Sequence, residues 1–425
     1  MTQEYKVVIC GAGPAGASAS LFLSKEKIPH LLIDKSTFPR DKVCGDALSG
    51  KVFSHLKHVL PDVRSECCQL PTVFLPSYGV RFVAPNGKEL DVPFVPNITA
   101  TDPPPGFISS RLDFDDWLFQ KAAAAPFAEV WQNAELIAIA KQNGGLVLQL
   151  KKDGEALEVK TQLAIAADGE RSLLRKFHTG TATRDRSSFS AGVRQYYRGV
   201  EGFHDMNFIE LHFLPELLPG YFWIFPMPNG RANVGAGMLS SVVANRKVDL
   251  KKEMEKIIQE HPIISKRFVN AKPEGKTQGW GLPLGRKVGS ISGDNLLLCG
   301  DAASLIDPFT GEGIGNAILS GRYAAEAALK AISTQNFLAK NLNSYDQIIR
   351  KKVGAELRLS STLLRLCEQQ WLFNFVANKA TRNPEFRDTI SSMFADIDLR
   401  AKFTNPIFYF KILFGDRWRL RRNGF

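Results

Sequence analysis

The chain has 425 residues, 44% of them apolar and 23% charged, with a formal net charge of +11. Such a composition excludes disorder and predicts a globular protein of two domains with an extension. The sequence has no apolar run of bilayer-spanning length, and no charged-then-apolar leader precedes the first strand. Its six cysteines are scattered without a C-x-x-C pair, which indicates a reducing, cytoplasmic setting and neither a disulfide framework nor a zinc site.

The first predicted strand, residues 6–10, enters the glycine-spaced turn Gly11-Ala12-Gly13-Pro14-Ala15-Gly16, which begins a helix. Gly11 permits the tight turn, Gly13 lets the backbone approach a pyrophosphate, and Gly16 lets helix and strand pack closely. A second strand, residues 29–33, ends in Asp34, whose carboxylate can accept hydrogen bonds from ribose hydroxyls. The pattern predicts a dinucleotide-binding unit, with an ordinary glycine-rich connection as the alternative.

A polar loop at residues 38–48 follows and holds Cys44 between cations and a glycine. Nearby cations favour a thiolate, so Cys44 is a candidate reactive thiol, and a cysteine without a role is the alternative. Residues 70–105 mix short strands with turn signals and predict part of a second domain.

The next predicted helix begins near Ser110 or Asp113, either of which can cap it, and carries Arg111 at its start. A cation is disfavoured at the positive end of a helix. The placement of Arg111 therefore indicates an anion nearby, with pairing to the adjacent acids as the alternative.

Two later strands return to the nucleotide-binding unit. The run at 163–167 ends in Asp168-Gly169, and the apolar run at 294–299 ends in Gly300-Asp301, as expected of strands buried in a parallel sheet. The segment at 307–316 contains Gly311 and Gly313 and begins a long helix, whose positive end can lie against an electron-rich ring.

An aromatic strand lies between these two runs. At period two, Tyr221, Trp223 and Phe225 share one face of this strand, which either walls a cavity or packs in the sheet. Beyond residue 336 the chain is predicted to be helical. The apolar tail at 403–414 and the arginines after it could lie in a membrane interface or dock on the protein body.

Together these motifs resemble the FAD-dependent fold shared with p-hydroxybenzoate hydroxylase. Within it, P-x-x-K-x-C-G at 39–45 and Y-x-W-x-F-P at 221–226 resemble the geranylgeranyl reductase family. The stretch at 300–314 also fits that family, except that Ser304 replaces a glycine. The resemblance spans residues 1 to about 335. Members of this family reduce isolated C=C bonds of polyprenyl groups with hydride from reduced flavin and a proton from the opposite side.

The resemblance implies a role for each matching position. Cys44 lies close to the isoalloxazine and is the candidate catalytic residue. The residues expected to bind FAD are Gly11, Gly13, Pro14, Ala15, Gly16, Asp34, Lys35, Cys44, Gly45, Arg111, Asp168, Asp301, Gly311, Gly313 and Ile314. The residues expected to bind substrate are Tyr221, Trp223, Phe225 and Pro308.

The fold class predicted is α/β and α+β. It combines a Rossmann-like FAD-binding domain, an inserted antiparallel-sheet substrate domain and a helical C-terminal region. The FAD-binding domain is expected to be discontinuous, at 1–70, 106–180 and 276–335. The substrate domain is expected at 71–105 and 181–275, and the helical region at 336–425.

The function predicted is FAD-dependent reduction of C=C bonds in an isoprenoid or other large apolar substrate. A monooxygenase using NAD(P)H and O2, a flavin-dependent halogenase and an FAD-bound interaction protein are the alternatives. Because no second strand–glycine–helix unit is apparent, the electron donor is either transiently bound NAD(P)H or a ferredoxin-type protein. We expect a lipid or other apolar substrate, no nucleic acid, and a membrane contact, if any, through the C-terminal tail at the inner face.

Overall fold

A computed structural model describes residues 3–383, and the strands and helices named here lie in that range. The strands are β1 (Gln3–Cys10), β2 (His30–Ile33), β3 (Ala47–Leu48), β4 (Leu75–Ser77), β5 (Gly79–Val83), β6 (Glu89–Pro93), β7 (Gly106–Ile108), β8 (Ala128–Trp131), β9 (Ala134–Gln142), β10 (Gly145–Lys152), β11 (Glu155–Ala166), β12 (Phe189–Arg198), β13 (Ile209–His212), β14 (Tyr221–Met227), β15 (Arg231–Leu239), β16 (Lys272–Pro283), β17 (Ser292–Gly293) and β18 (Leu296–Leu298). The α-helices are α1 (Pro14–Lys25), α2 (Gly50–Leu56), α3 (Val63–Cys68), α4 (Arg111–Ala123), α5 (Leu173–Thr179), α6 (Ser240–Arg246), α7 (Leu250–Glu260), α8 (Ile264–Arg267), α9 (Ile314–Thr334), α10 (Ala339–Leu366) and α11 (Gln370–Arg382).

The first sheet has the order β17-β18-β11-β1-β2-β8, and β18, β11, β1, β2 and β8 are parallel. Helices cover both faces of a parallel sheet, which explains why the inner strands are continuous apolar runs. The last four residues of β1 and all of β2 and β18 are buried. β9 and β10 extend β11 as an antiparallel hairpin. Strands from residues 3–10, 155–166 and 296–298 therefore lie side by side, so this part of the fold is discontinuous in sequence.

The second sheet has the order β16-β12-β15-β14-β13-β5-β6. Its pairs are antiparallel except for β13 and β5, which are parallel because they come from distant segments of the chain. β16 continues in this sheet as far as Pro283. On one side α7 packs its buried residues Leu250, Met254 and Ile257 against the sheet. On the opposite side, the ring of Phe225 lies against Gly45, in the segment between β2 and β3.

The predicted fold class is confirmed, with a parallel nucleotide-binding sheet, an inserted sheet and C-terminal helices. A small third sheet, β3-β7-β4, takes its strands from the part of the chain between β2 and β8. Helix α9 packs against α1, α2 and α10. The tail at 403–422 lies outside the described residues.

Candidate functional site

A cavity of about 1350 Å³ lies where the carboxyl ends of β1 and β18 meet the second sheet. Parallel sheets place ligand sites at this edge because loops and helix N-termini converge there. The cavity is lined by nearly all of the predicted site residues: Gly11, Gly13, Pro14, Ala15, Asp34, Lys35, Cys44, Gly45, Arg111, Asp168, Tyr221, Trp223, Phe225, Asp301, Pro308, Gly311, Gly313 and Ile314. Gly16 lies behind this wall and is not among the lining residues.

In the first glycine turn, neighbouring backbone atoms occupy the space that side chains would need at Gly11 and Gly16. Gly11 has φ +100°, and a Cβ there would collide with the carbonyl oxygen of Ala167. A Cβ on Gly16 would collide with the carbonyl oxygen of Gly11, so Gly16 acts through packing of α1 on β1. Gly13 leaves its space to the guanidinium of Arg40, whose Nη2 would be 3.2 Å from an added Cβ.

Two helices, α1 and α9, begin at the cavity, and no side chain caps the backbone N–H groups of their first turns. The N-caps of α1 and α9 are Gly13 and Gly313, neither helix has a side-chain cap, and neither has an acid in its first turn. By contrast, Ser110 caps α4, as predicted, and Ser172 caps α5. Bare helix N-termini offer unpaired N–H groups and positive potential to an anionic ligand.

Asp34 and Asp168 lie at the ends of β2 and β11. The carboxylate of Asp34 accepts hydrogen bonds from the backbone N–H of Ala12 and Ser36, both at 2.8 Å, and so orders the first glycine turn. Oδ2 of Asp168 accepts from Leu173 N, while its buried Oδ1 has no hydrogen-bond partner among the described residues. Burial raises the pKa of Asp168. A buried oxygen without a partner beside a glycine cradle fits a polar ligand group such as a ribose hydroxyl.

Arg111 is buried at the start of α4 and makes two hydrogen bonds to Asp115, at 2.6 and 2.7 Å. Asp115 also accepts from Arg40 at 2.6 Å. One carboxylate therefore serves two guanidinium groups, which leaves net positive charge beside Gly13. Burial alone would lower the pKa of Arg111, but Asp115 raises it overall. The pairing with an adjacent acid, which the sequence offered as the alternative to a nearby anion, is present, and Arg111 also lines the cavity. Its contact with FAD stays a prediction.

Asp301 forms an ion pair with Lys42 at 2.7 Å. Burial alone would raise the pKa of Asp301, but Lys42, Arg111 and Arg184 bring it below its usual value. Asp301 is therefore ionised and can accept hydrogen bonds. Arg184 donates to the carbonyl oxygens of Glu170 and Asp301 and so holds this loop in place. The ammonium group of Lys42 is paired with Asp301. Its positive charge is therefore not available only to stabilise a thiolate at Cys44.

We call Tyr221, Trp223 and Phe225 the aromatic wall. Tyr221 and Phe225 contact loops of the nucleotide-binding half directly, and Trp223 is linked to one through Asn233. Tyr221 donates to the carbonyl of Thr310 at 2.6 Å, just before α9. Trp223 donates to Asn233, which donates to the carbonyl of Cys44 at 2.7 Å, and the ring of Phe225 lies 2.9 Å from where a Cβ on Gly45 would be. The aromatic wall therefore also fixes the loops that face it.

The structure also places residues at the cavity that the sequence analysis did not single out. Arg40 and Asp46 line it, and Asp115 and Asn233 are fully buried next to it. Arg40 and Asp46 lie in the polar loop at residues 38–48 that also contains Cys44. The composition of this loop is the sequence feature that could have identified both residues. Asp115 is one turn from Arg111 on α4, which is the spacing of a helical ion pair. Asn233 has no signal in the sequence because its partners are remote along the chain.

Residues 3–383 contain neither a membrane-spanning helix nor a cluster of metal-binding side chains. No helix in that range combines the length and apolarity that crossing a membrane requires. The same range contains no cluster of three or more histidine, cysteine or acidic side chains arranged to hold a metal ion.

Comparison with known proteins places these features in context. A family model described as FAD binding domain matches residues 99–357. Digeranylgeranylglycerophospholipid reductase 2 of Methanopyrus kandleri is 31% identical over 360 residues, which cover 83% of this chain and 83% of that protein. The corresponding reductase of Thermoplasma acidophilum is 28% identical over 82% of this chain and 84% of its own length.

Solved structures share the fold. A geranylgeranyl bacteriochlorophyll reductase-like protein from Thermoplasma acidophilum superposes with a TM-score of 0.78 at 24% identity and covers 95% of this chain and 96% of that one. At these identities the structural likeness shows the fold and does not choose between chemistries.

Proposed function

This chain belongs to the FAD-dependent geranylgeranyl reductase family, and from that membership we propose that it reduces C=C bonds of an isoprenoid lipid. The observation that carries the proposal is the cavity, which joins a dinucleotide cradle to an apolar chamber in one space. We define the cradle as residues 11–16, 34 and 300–314. We define the chamber as the part lined by Val80, Phe82, Leu211, Leu282 and Leu364 together with the aromatic wall.

The cradle residues fit FAD. The bare start of α1 and the guanidinium of Arg40 would hold the pyrophosphate, and Asp34 would face the adenosine ribose. Asp301 would accept from the ribityl chain, and the start of α9 would stabilise negative charge on the reduced ring. Bound and reduced, FAD supplies a hydride. What the chain itself must add is substrate orientation, exclusion of water and a proton.

The chamber suits an apolar chain. Val80, Phe82 and Leu211 are buried, and they come from the adjacent strands β5 and β13. An apolar cavity lined by side chains from rigid strands binds long hydrocarbon by displacing water from both surfaces. Polar groups in the aromatic wall are already engaged, since Tyr221 and Trp223 donate to Thr310 and Asn233. The hydroxyl of Tyr221 and the indole N–H of Trp223 are therefore not free to donate to a ligand, and the wall offers it ring carbons.

The cavity rim near α2 and α10 carries cations. Lys51 joins these helices through Glu356 at 2.9 Å, and the exposed Lys351 and Lys352 lie on α10 about one turn before Glu356. Positive side chains at the entrance suit the phosphate of a lipid headgroup, and the curated relatives are named for a glycerophospholipid. We therefore include a phosphate-bearing headgroup in the proposed substrate class.

The electron donor and the membrane contact belong to the same proposal. The donor is either NAD(P)H that binds transiently or a ferredoxin-type protein. A lipid substrate resides in a membrane, so peripheral contact at the inner face through residues 403–422 would give access to it. Sedimentation with anionic vesicles should recover the full chain and lose a chain truncated after residue 402.

The test is anaerobic mixing of dithionite-reduced enzyme with an unsaturated isoprenoid lipid. We expect the absorbance of oxidised flavin to return and the lipid to gain two hydrogens for each flavin reoxidised. The saturated counterpart of the lipid is the control and should leave the flavin reduced. If no unsaturated lipid reoxidises the flavin, the proposal is wrong. A product that gains oxygen, only when O2 is present, would instead establish the monooxygenase.

A further inference from the structure

One buried carboxyl in the cavity belongs to neither the cradle nor the aromatic wall as defined above. Asp46 follows Cys44-Gly45, lines the cavity and is fully buried. Its backbone has φ +69°, and its carbonyl accepts from Ser109 N at 3.0 Å, so the residue is fixed in position.

The two oxygens of Asp46 have different surroundings. Oδ2 accepts from Tyr196 Oη at 2.7 Å and from Asn233 Nδ2 at 2.8 Å. Oδ1 is buried and has no hydrogen-bond partner in the described part of the chain. A buried carboxylate oxygen without a donor is costly, whereas a protonated oxygen can donate to a ligand. The network therefore holds one carboxyl oxygen fixed and leaves the other for the contents of the cavity.

The charges around Asp46 are few. Arg194 lies over the ring of Tyr196 at 4.0 Å and pairs with Asp41 at 2.9 Å, so its charge is already shared. Burial is the largest influence on the pKa of Asp46 and raises it to about 6. The charge of Asp41 also raises this pKa, whereas Arg194 and the hydrogen bonds from Tyr196 and Asn233 lower it. Burial and Asp46 raise the pKa of Tyr196, so its hydroxyl stays a donor. Near neutral pH this carboxyl can both hold and release a proton.

We propose that Asp46 delivers the proton that completes reduction of the substrate double bond. The inference rests on the proposed function. The Oδ1–H bond breaks, and its proton bonds to one alkene carbon with the π-electron pair. The other carbon takes the hydride that reduced FAD supplies. The carboxylate left on Asp46 stays bound to Tyr196 and Asn233 and takes a proton from water before the next turnover.

The first experiment compares Asp46→Asn with the wild-type enzyme. Asparagine has the same shape and keeps an acceptor for Tyr196 and Asn233, but it cannot deliver a proton. We expect lipid reduction to fall by about 100-fold or more, while FAD content and reoxidation of the reduced flavin by ferricyanide stay unchanged. The wild-type rate should fall as pH rises through about 6, and Asp46→Asn should lack this decline. Lipid reduction at the wild-type rate with the same pH profile would overturn the proposal.

Tyr196→Phe is the second variant and keeps the acid. It removes a hydrogen bond that lowers the pKa of Asp46, so the decline in rate should move to higher pH. An unmoved profile would contradict the proposal even if Asp46→Asn did not fold.

Unfolding provides a readout that needs no substrate. The folded-state pKa of Asp46, about 6, lies above the unfolded value of about 3.9. The folded protein therefore holds the extra proton between about pH 4 and 6, and wild-type stability falls as pH rises through that window. Asp46→Asn cannot ionise, so its melting temperature relative to wild type should rise across the same window and then stay level. A constant difference would contradict the assigned titration. If wild-type enzyme reduces no lipid, the proposed function fails while this readout still reports on Asp46.

Discussion

The cradle and the chamber are built in opposite ways. The cradle presents backbone: Gly11 lies against the carbonyl of Ala167, Gly13 leaves space for the guanidinium of Arg40, and two helices begin without side-chain caps. The chamber presents side chains, and the aromatic wall spans a single strand, β14. A backbone site is disrupted by any added Cβ, whereas a side-chain site changes gradually with each substitution. The cofactor can thus remain fixed while the selectivity for substrate varies.

The largest effect is expected where the cradle loses its backbone freedom. Gly11→Ala places a Cβ against the Ala167 carbonyl at φ +100°, which combines backbone strain with a collision. We expect a loss of about 4 kcal/mol in the free energy of unfolding, from roughly 1–3 kcal/mol for each cause, and loss of FAD. Urea unfolding and flavin content measure these two quantities.

Gly154→Ala is the control for Gly11→Ala. Gly154 has φ +93° and nothing within 4 Å of an added Cβ, so only the strain should remain. Equal losses in the two variants would show that the cradle needs no close approach of backbone.

The next effect concerns the buried ion pair under the cradle. Asp115→Asn leaves Arg111 and Arg40 without their shared carboxylate. Removing one partner of a buried pair is expected to lower the free energy of unfolding by about 3 kcal/mol. Glu326→Gln breaks the Arg322–Glu326 pair, which has the same spacing but is solvent-exposed, and should change stability by less than about 0.5 kcal/mol. If denaturant titrations give similar losses in the free energy of unfolding for the two variants, burial does not determine how much each ion pair contributes to stability.

The chamber is tested by removing one indole donor. Trp223→Phe leaves Oδ1 of Asn233 without its partner and should lower the free energy of unfolding by about 1–3 kcal/mol while FAD stays bound. Trp280 also lines the cavity, but its buried Nε1 has no hydrogen-bond partner among residues 3–383. Trp280→Phe should therefore be nearly neutral. A larger loss from Trp280→Phe would show that ring packing, and not the hydrogen bond, determines stability here.

The smallest effect is expected at Cys44. Its carbonyl, not its thiol, accepts the hydrogen bond from Asn233. Cys44→Ser keeps that bond, so we expect turnover within about ten-fold of wild type, well short of the loss expected for a missing general acid. The pH profile of lipid reduction should be unchanged. A lost or shifted profile would instead assign delivery of the proton to the Cys44 thiol.

The same contrast explains what could be predicted from the sequence. The turn at 11–16 and the ends of β2, β11 and β18 are local patterns whose backbone geometry requires particular residues. Parallel pairing then brings those ends together, so most of the cradle could be predicted. The partner of Asp46, Asn233, is 187 positions away and shows no pattern of its own. Such contacts form when distant segments of the chain pack together. Neither the periodicity of apolar residues nor the spacing of motifs in the sequence can predict them.

The proposed function requires cofactor and isoprenoid to share one cavity. The most direct measurement is the mass of an isoprenoid lipid bound to the enzyme, taken before and after one anaerobic reduction of the flavin. The proposed function predicts a gain of two hydrogens in the lipid for each flavin that returns to its oxidised form. Flavin reoxidation with no change in lipid mass, or with a gain of oxygen, would contradict it.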